Sequence, residues 1–240
     1  MRTIFVAVLV ATIAAAVPAI AAAKPASGLM NDPNHKLTNS TSTNWSGYAA
    51  TGGTFTSVSA SWTQPTAVCS FGTSYSSFWV GLDGDGSSSV EQTGSSADCS
   101  SANVPNYYAW YEMYPKYPVN LSGTVRPGDA FSASVTADKT GRFTLTITDS
   151  TEHWSYQTTQ RANRAALASA EVIAEAPSSR SGVLPLTNFG SVSFASSTAN
   201  GVSLASLNPD RIDMVSGSTT KASTGSISSS GSFTVTWQHQ

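Results

Sequence analysis

Alternation with a period of two is the feature that most narrows what this chain can fold into. In Phe55–Thr63 the apolar side chains Val58, Ala60 and Trp62 are each separated by a serine. The same spacing runs through Tyr107–Tyr114, through Ala130–Ala137 with Phe131, Ala133 and Val135, and through Arg142–Thr148 with Phe143, Leu145 and Ile147. It recurs in Gly231–Trp237 with Phe233, Val235 and Trp237. A strand turns successive side chains to opposite faces, so each segment can bury one face and leave the other polar. Between the segments lie groups that reverse a chain: Thr51-Gly52-Gly53, Asp83-Gly84-Asp85-Gly86, Arg126-Pro127-Gly128-Asp129, Lys139-Thr140-Gly141 and Asn200-Gly201. With 41 Ser and 28 Thr among 240 residues, composition also favours strands and turns over helices. Many short strands joined by tight turns predict an all-β sandwich or barrel. Gln160–Ala170 runs against this, because its helix formers make it a candidate short helix.

The N-terminus has the anatomy of a secretory signal peptide over residues 1–23. Arg2 supplies the positive charge, Ile4–Ala23 is almost wholly apolar, and Ala21-Ala22-Ala23 provides small residues for cleavage. A membrane anchor is the alternative; Pro18 and the small side chains favour cleavage over it. Residues 24–43 are polar and aperiodic and read as a short propeptide or loose arm. No repeat or linker divides residues 44–240, which are expected to form one β-sandwich domain, soluble, exported and monomeric. Only 11% of residues are charged and the formal net charge is −2, so the basic footprint of a nucleic-acid binder is missing. Cys69 and Cys99 are the two cysteines, and in an exported chain such a pair is expected to form a disulfide. That bond would stabilise the fold by roughly 3–4 kcal/mol.

Several catalytic chemistries are poorly served. The chain has three histidines: His35 in the arm, His239 next to last, and His153, read as an ordinary strand residue beside Trp154. There is no Gly-x-Ser-x-Gly elbow, no His-Glu-x-x-His pair and no Asp-Thr-Gly or Asp-Ser-Gly triplet, so serine, zinc and pepsin-like mechanisms lose their usual residues. Asp83-Gly84-Asp85-Gly86 lacks the Glu that closes a calcium loop and reads as a turn. Carboxylates, amides and aromatics remain, concentrated in three segments. The first is Ser77–Asp85, running on to Glu91-Gln92-Thr93-Gly94. In the second, Tyr107–Pro115, alternation places Tyr108, Trp110, Glu112 and Tyr114 on one face and Tyr107, Ala109, Tyr111 and Met113 on the other. In the third, Ala170–Pro177, Glu171, Ile173 and Glu175 share a face. Taken alone, that last face reads as a solvated outer surface; the aromatic face of the second segment could equally be core, but a Trp-Glu-Tyr face suits a substrate groove better, since Glu is rarely buried without a partner.

These segments resemble the glutamic peptidases of the eqolisin family. The resemblance starts at Asn44-Trp45-Ser46-Gly47, continues through Phe78-Trp79-Val80-Gly81-Leu82-Asp83-Gly84, Gln92-Thr93-Gly94, Tyr107–Pro115, Leu121-Ser122-Gly123 and Gly128-Asp129, and ends in Ala170–Glu175. It implies a lectin-like sandwich of two large antiparallel β-sheets, secretion, a propeptide, activity in acid, and protein or peptide substrates. It places the catalytic pair on Gln92 and Glu175, and gives Trp45, Trp79, Asp83, Trp110 and Glu112 the task of lining or supporting a substrate groove. No metal or other cofactor is implied, and no membrane or nucleic-acid partner. This chain departs from the family where Tyr108 stands in place of a frequent Asp, and where a Ser-rich loop carrying Cys99 is expected after Gln92. The implied chemistry is physically sound. A glutamate can take a proton from water and return it to the leaving nitrogen. A glutamine amide can donate to the oxyanion at any pH. Three other readings compete: a carbohydrate-binding module stacking sugars on Trp79 and Trp110, a glycosidase using Glu112 and Glu175, or a structural or adhesion domain of the Ser/Thr-rich sandwich kind. Glu171 with Glu175 is unsuited to a glycosidase, since four strand residues span roughly 13 Å.

Overall fold

A computed structural model describes residues 41–240, apart from Phe71 and Arg164. The signal peptide and all but the last three residues of the arm expected from the sequence lie outside the described residues. In chain order the strands are β1 (Thr41–Ser42), β2 (Trp45–Ala50), β3 (Ser57–Thr63), β4 (Ser77–Leu82), β5 (Val90–Cys99), β6 (Pro105–Tyr114) and β7 (Val119–Asn120). Then come β8 (Ala130–Ala137), β9 (Arg142–Asp149), β10 (Trp154–Arg161), β11 (Ala170–Glu175), β12 (Ser178–Ser179), β13 (Gly182–Val183) and β14 (Ser191–Ala199). The last are β15 (Val202–Ser203), β16 (Asp210–Ser216), β17 (Thr219–Thr224) and β18 (Phe233–Trp237). Among the described residues there is no α-helix; Leu204–Leu207 forms a single 3₁₀ turn. Every alternating segment read from the sequence is a strand, with ends displaced by at most two residues. The Asn200-Gly201 turn is also found. Both residues have positive φ, 50° and 76°, and they join β14 to β15 as a two-residue hairpin.

The helix-forming stretch Gln160–Ala170 is no helix. Its start completes β10, and residues 165–169 lead into β11 as an irregular loop in which Leu167 has a positive φ of 52°. Tertiary hydrogen bonds described below outweigh a propensity worth only tenths of a kcal/mol per residue.

The two expected sheets are halves of one hydrogen-bonded path, β10-β9-β8-β3-β14-β18-β17-β16-β2-β11-β4-β5-β6-β7. The chain crosses between them at β16, which pairs with β17 on one side and β2 on the other. Among the described residues all named strand pairs are antiparallel except β1 with β16. The halves pack face to face, β4 against β3 and β8, and β5 against β8 and β9. Phe131, Phe143, Leu145, Ile147, Trp62 and Phe194 from one half meet Tyr48, Phe78, Val80, Leu82, Val172 and Ala109 from the other in the main core. Burying each large apolar side chain contributes roughly 1.5–3 kcal/mol. Trp62 stacks on Phe131 at 5.7 Å, and its indole N–H crosses the core to Ser95 Oγ at 2.9 Å. Cys69 and Cys99 are disulfide-bonded, with their Cα atoms 5.4 Å apart. The outer faces of β9 and β10 carry hydroxyls that pair across strands, as Thr148 does with Ser155 at 2.8 Å. One expectation fails here: Ser95–Cys99 is the second half of β5 and is fully paired with β6, not a loop.

Candidate active site

Strict alternation through β2, β11, β4, β5 and β6 sorts their side chains into two sets. Tyr48, Val172, Val80, Ala97 and Ala109 point into the main core. On the opposite face Trp45, Ala49, Ile173, Trp79, Val90, Trp110 and Ile212 form a second buried cluster, with Tyr108 and Tyr114 against it. The division of Tyr107–Tyr114 is the one read from the sequence. Glu171, Ile173 and Glu175 do share this second face, but the solvated-surface reading is corrected: all three are fully buried. Gln92 and Glu112 are on the same face and equally buried.

Glu175 sits at the end of β11, opposite Trp45 of β2 and Ser77 of β4. Each of its carboxylate oxygens has its own donor. The Asn44 amide donates to Oε1 at 3.1 Å, and the Trp79 indole N–H donates to Oε2 at 2.7 Å. Two donors on separate oxygens fix the plane of the carboxylate. Gln92 donates from Nε2 to Glu112 Oε2 at 2.9 Å across β5 and β6. An amide nitrogen carries two N–H groups, so this bond sets the direction of the other.

Register alone puts Gln92 opposite Gly81, and Gly81 opposite Glu171 rather than Glu175. That leaves an offset of roughly 13 Å along the strands. Trp79 spans it. Its Nε1 reaches Glu175, while its six-membered ring lies over Gly81, where an added Cβ would stand 2.8 Å from Cζ3 and 3.2 Å from Gln92 Cβ. Gly94 makes room for the other side of Trp79, since a Cβ there would meet Trp79 Cβ at 2.6 Å and Phe78 O at 2.2 Å. Glycine at these two positions is therefore a packing requirement of the indole. Trp45 meets Trp79 edge to face at 5.0 Å, and Trp110 Nε1 donates to Ser96 Oγ at 3.0 Å.

Asp83 supports the site without lining it. It follows β4 and is fully buried, and its carboxylate accepts from the backbone N–H groups of Leu167 and Ala168 at 2.9 and 2.8 Å. It thus fastens the loop that delivers β11. Tyr108, where the family often has Asp, donates from its phenol to Asp98 at 2.8 Å. Burial pushes the Asp98 carboxyl up to about 7 and lifts Glu171 well above the usual carboxylate range. His153 is an exposed turn residue with φ 57°, not a strand residue as expected. Two residues were missed by sequence reasoning, Asn44 and Ser42. Asn44 heads the Asn44-Trp45-Ser46-Gly47 motif, and that was the signal. Nothing in the sequence ties it to a glutamate 131 positions away. Its Asn-x-Ser sequon is closed to glycosylation in the folded chain, because Asn44 is 1% exposed.

Comparison with known proteins bears on the same segments. The model of the Peptidase A4 family matches residues 43–237. Aspergillopepsin-2 of Aspergillus niger is 29% identical over 182 residues, 66% of this chain and 64% of that protein. Scytalidopepsin B of Scytalidium lignicola is 39% identical over 107 residues, 42% of this chain and 39% of that protein. The matched regions thus span only part of both relatives. Among solved structures, scytalido-glutamic peptidase with a transition state analog inhibitor has a TM-score of 0.70 at 25% identity, covering 82% of this chain and 98% of that one. Aspergilloglutamic peptidase from Aspergillus niger has a TM-score of 0.61 at 29% identity, covering 68% and 99%.

Proposed function

Because this chain belongs to the peptidase A4 family, we propose that it is an exported acid endopeptidase acting through Glu175 and Gln92. The observation that carries the reading is the pair of anchored groups on one buried sheet face. Glu175 is held by Asn44 and Trp79, and Gln92 is held by Glu112. In this reading ionised Glu175 takes a proton from a water molecule, which attacks the scissile carbonyl. The Gln92 N–H not given to Glu112 donates to the oxyanion. Protonated Glu175 then delivers the proton to the leaving nitrogen, and the peptide bond breaks with the charge balanced throughout. Trp45, Trp79 and Trp110 provide the apolar walls. Export rests on the signal-like N-terminus; among the described residues no helix is long and apolar enough to cross a membrane. Family membership disfavours the carbohydrate readings, and a glycosidase would have no use for Gln92.

The test is digestion of an acid-denatured protein with pepstatin present. Cleavage is expected in the parent protein and is expected to vanish in Glu175→Gln. Gln92→Ala should lower turnover by about 10²–10³, as loss of one oxyanion donor does elsewhere. Glu171→Gln, on the same strand and face, should keep its activity. Circular dichroism confirms that each variant is folded. An active Glu175→Gln enzyme would end this reading.

A further inference from the structure

Resting on that reading, we propose that Asn44 is a positioning residue of the catalytic glutamate and that Ser42 sets Asn44 in turn. Asn44 grips the end of β11 twice. Its amide nitrogen donates to Glu175 Oε1 at 3.1 Å, and its carbonyl accepts the N–H of Ala176, the next residue, at 2.8 Å. An amide can face a carboxylate usefully only through nitrogen, and Ser42 enforces that orientation. The Ser42 hydroxyl donates to Asn44 Oδ1 at 3.2 Å, while its oxygen accepts from the backbone N–H groups of Asn44 at 3.3 Å and Trp45 at 3.1 Å. Reversing the amide would set oxygen against carboxylate and nitrogen against a donor hydroxyl. Ser42 is seated by the parallel pairing of Thr41–Ser42 with Asp213–Met214. Ser42, Asn44 and Glu175 are all buried, at 2%, 1% and 0% exposure. Water therefore does not stand in easily for a lost partner.

Asn44 shares control of Glu175 with Trp79, whose indole N–H donates to the other carboxylate oxygen at 2.7 Å but cannot titrate. On this face β2 and β4 present no ionisable side chain. The titratable groups on it or against it include Glu171 along β11 itself, Glu112, Tyr108 and Tyr114 from β6, Asp98 from β5 and Asp210 from β16, with Asp85 beside Glu171 and Tyr75 beside Asp98. Asp98 is engaged by Tyr108 and Glu112 by Gln92. A donor to the charged form lowers a carboxyl's pKa, and a second carboxyl in hydrogen-bond reach splits the pair into one lower and one higher step.

The test is the pH profile of kcat/KM for peptide cleavage by Asn44→Ala, Asn44→Asp, Ser42→Ala and Glu175→Gln, each checked for folding by circular dichroism. Asn44→Ala should move the acidic limb to higher pH by about one unit, since a hydrogen bond to a charged group is worth roughly that much. Asn44→Asp should move the same limb to lower pH and add a new fall where the second proton leaves the pair. Ser42→Ala should follow Asn44→Ala in direction with a smaller shift. Opposite movement by two substitutions at one position is what a mere packing role does not produce. If Asn44→Ala and Asn44→Asp leave the limb in place, whether or not activity drops uniformly, Asn44 is only structural and the inference is overturned. If Asn44→Asp does not fold, the limb in Asn44→Ala and Ser42→Ala decides alone. An active Glu175→Gln enzyme removes the underlying reading instead, so the two failures are distinct.

Discussion

Glu112 shows how much a single residue's role depends on its neighbour. As one of five glutamates in a weakly charged chain it is an obvious catalytic candidate, and the glycosidase reading used it so. In the fold its Oε2 accepts the Gln92 amide at 2.9 Å. In the proposed mechanism it would aim that amide. Glu112→Ala is expected to lower turnover about tenfold to a hundredfold, because small misplacements of catalytic groups carry costs of that order. In a Gln92→Ala background the same substitution should add almost nothing, since it acts through Gln92. Steady-state kinetics on the two single variants and the double variant checks this. Multiplicative losses would show that Glu112 acts independently.

At the scale of elements, the placement of β11 decides where Glu175 stands. β11 lies between β2 and β4 and is paired along its full length with both. The segment before it has a helical composition, yet contacts from outside hold it as an irregular, non-helical loop. Asp83 takes the N–H groups of Leu167 and Ala168, Asp83 N–H donates to Ser169 O at 3.1 Å, and Phe55 N–H donates to Leu167 O at 2.9 Å. Asp83→Asn keeps the shape but turns an amide N–H toward a backbone donor. A buried donor left unsatisfied costs about 1–3 kcal/mol, and at roughly 2–4 °C per kcal/mol the melting temperature should fall by several degrees. Thermal unfolding followed by circular dichroism measures it. Catalysis by the folded fraction should persist, because Asp83 touches neither Gln92 nor Glu175. A variant with unchanged melting temperature would show that the loop is held by other means.

For the whole molecule, buried carboxyls tie stability to acid. Burial, and then the neighbouring Asp83 carboxylate, push Glu91 up to about 8. Burial also raises Asp98 to about 7 and lifts Glu171 above the ordinary range. One carboxyl oxygen each of Glu91 and Glu171 meets no hydrogen-bond partner, which further disfavours ionisation. In the unfolded chain Glu91 ionises near 4.5, whereas in the folded chain it keeps its proton to about 8. Below both values the two states bind the proton alike. Between them the unfolded state releases it and is favoured, so stability falls as pH rises from about 4.5 and levels off above about 8. The melting temperature is expected to be highest in acid and to decline across that window. Glu91→Gln should flatten the decline, because an amide resembles the protonated acid. Calorimetry from acid to mildly alkaline pH distinguishes this from a profile that peaks at neutrality.

Strands, their faces and the main turns were legible in the sequence because side-chain alternation and turn chemistry are local. Phe131, Ala133 and Val135 had to share a face wherever their strand lay, and Asn200-Gly201 had to reverse the chain. The family resemblance at Trp79, Gln92 and Glu175 was legible in the same way, as runs of adjacent residues. Which glutamate holds an amide, which is held by one, and which is a buried acid was not legible, because register across five strands decides it. Ser42, Asn44 and Glu175 meet only when β1 docks on β16 and β11 enters between β2 and β4. The loop before β11 followed the same rule: its composition favoured a helix, and the buried carboxylate of Asp83, 84 positions away from Leu167, held it out of one. Local sequence sets what each segment can be. Long-range hydrogen bonds in a dry interior, where an unmet partner is costly, select among those options.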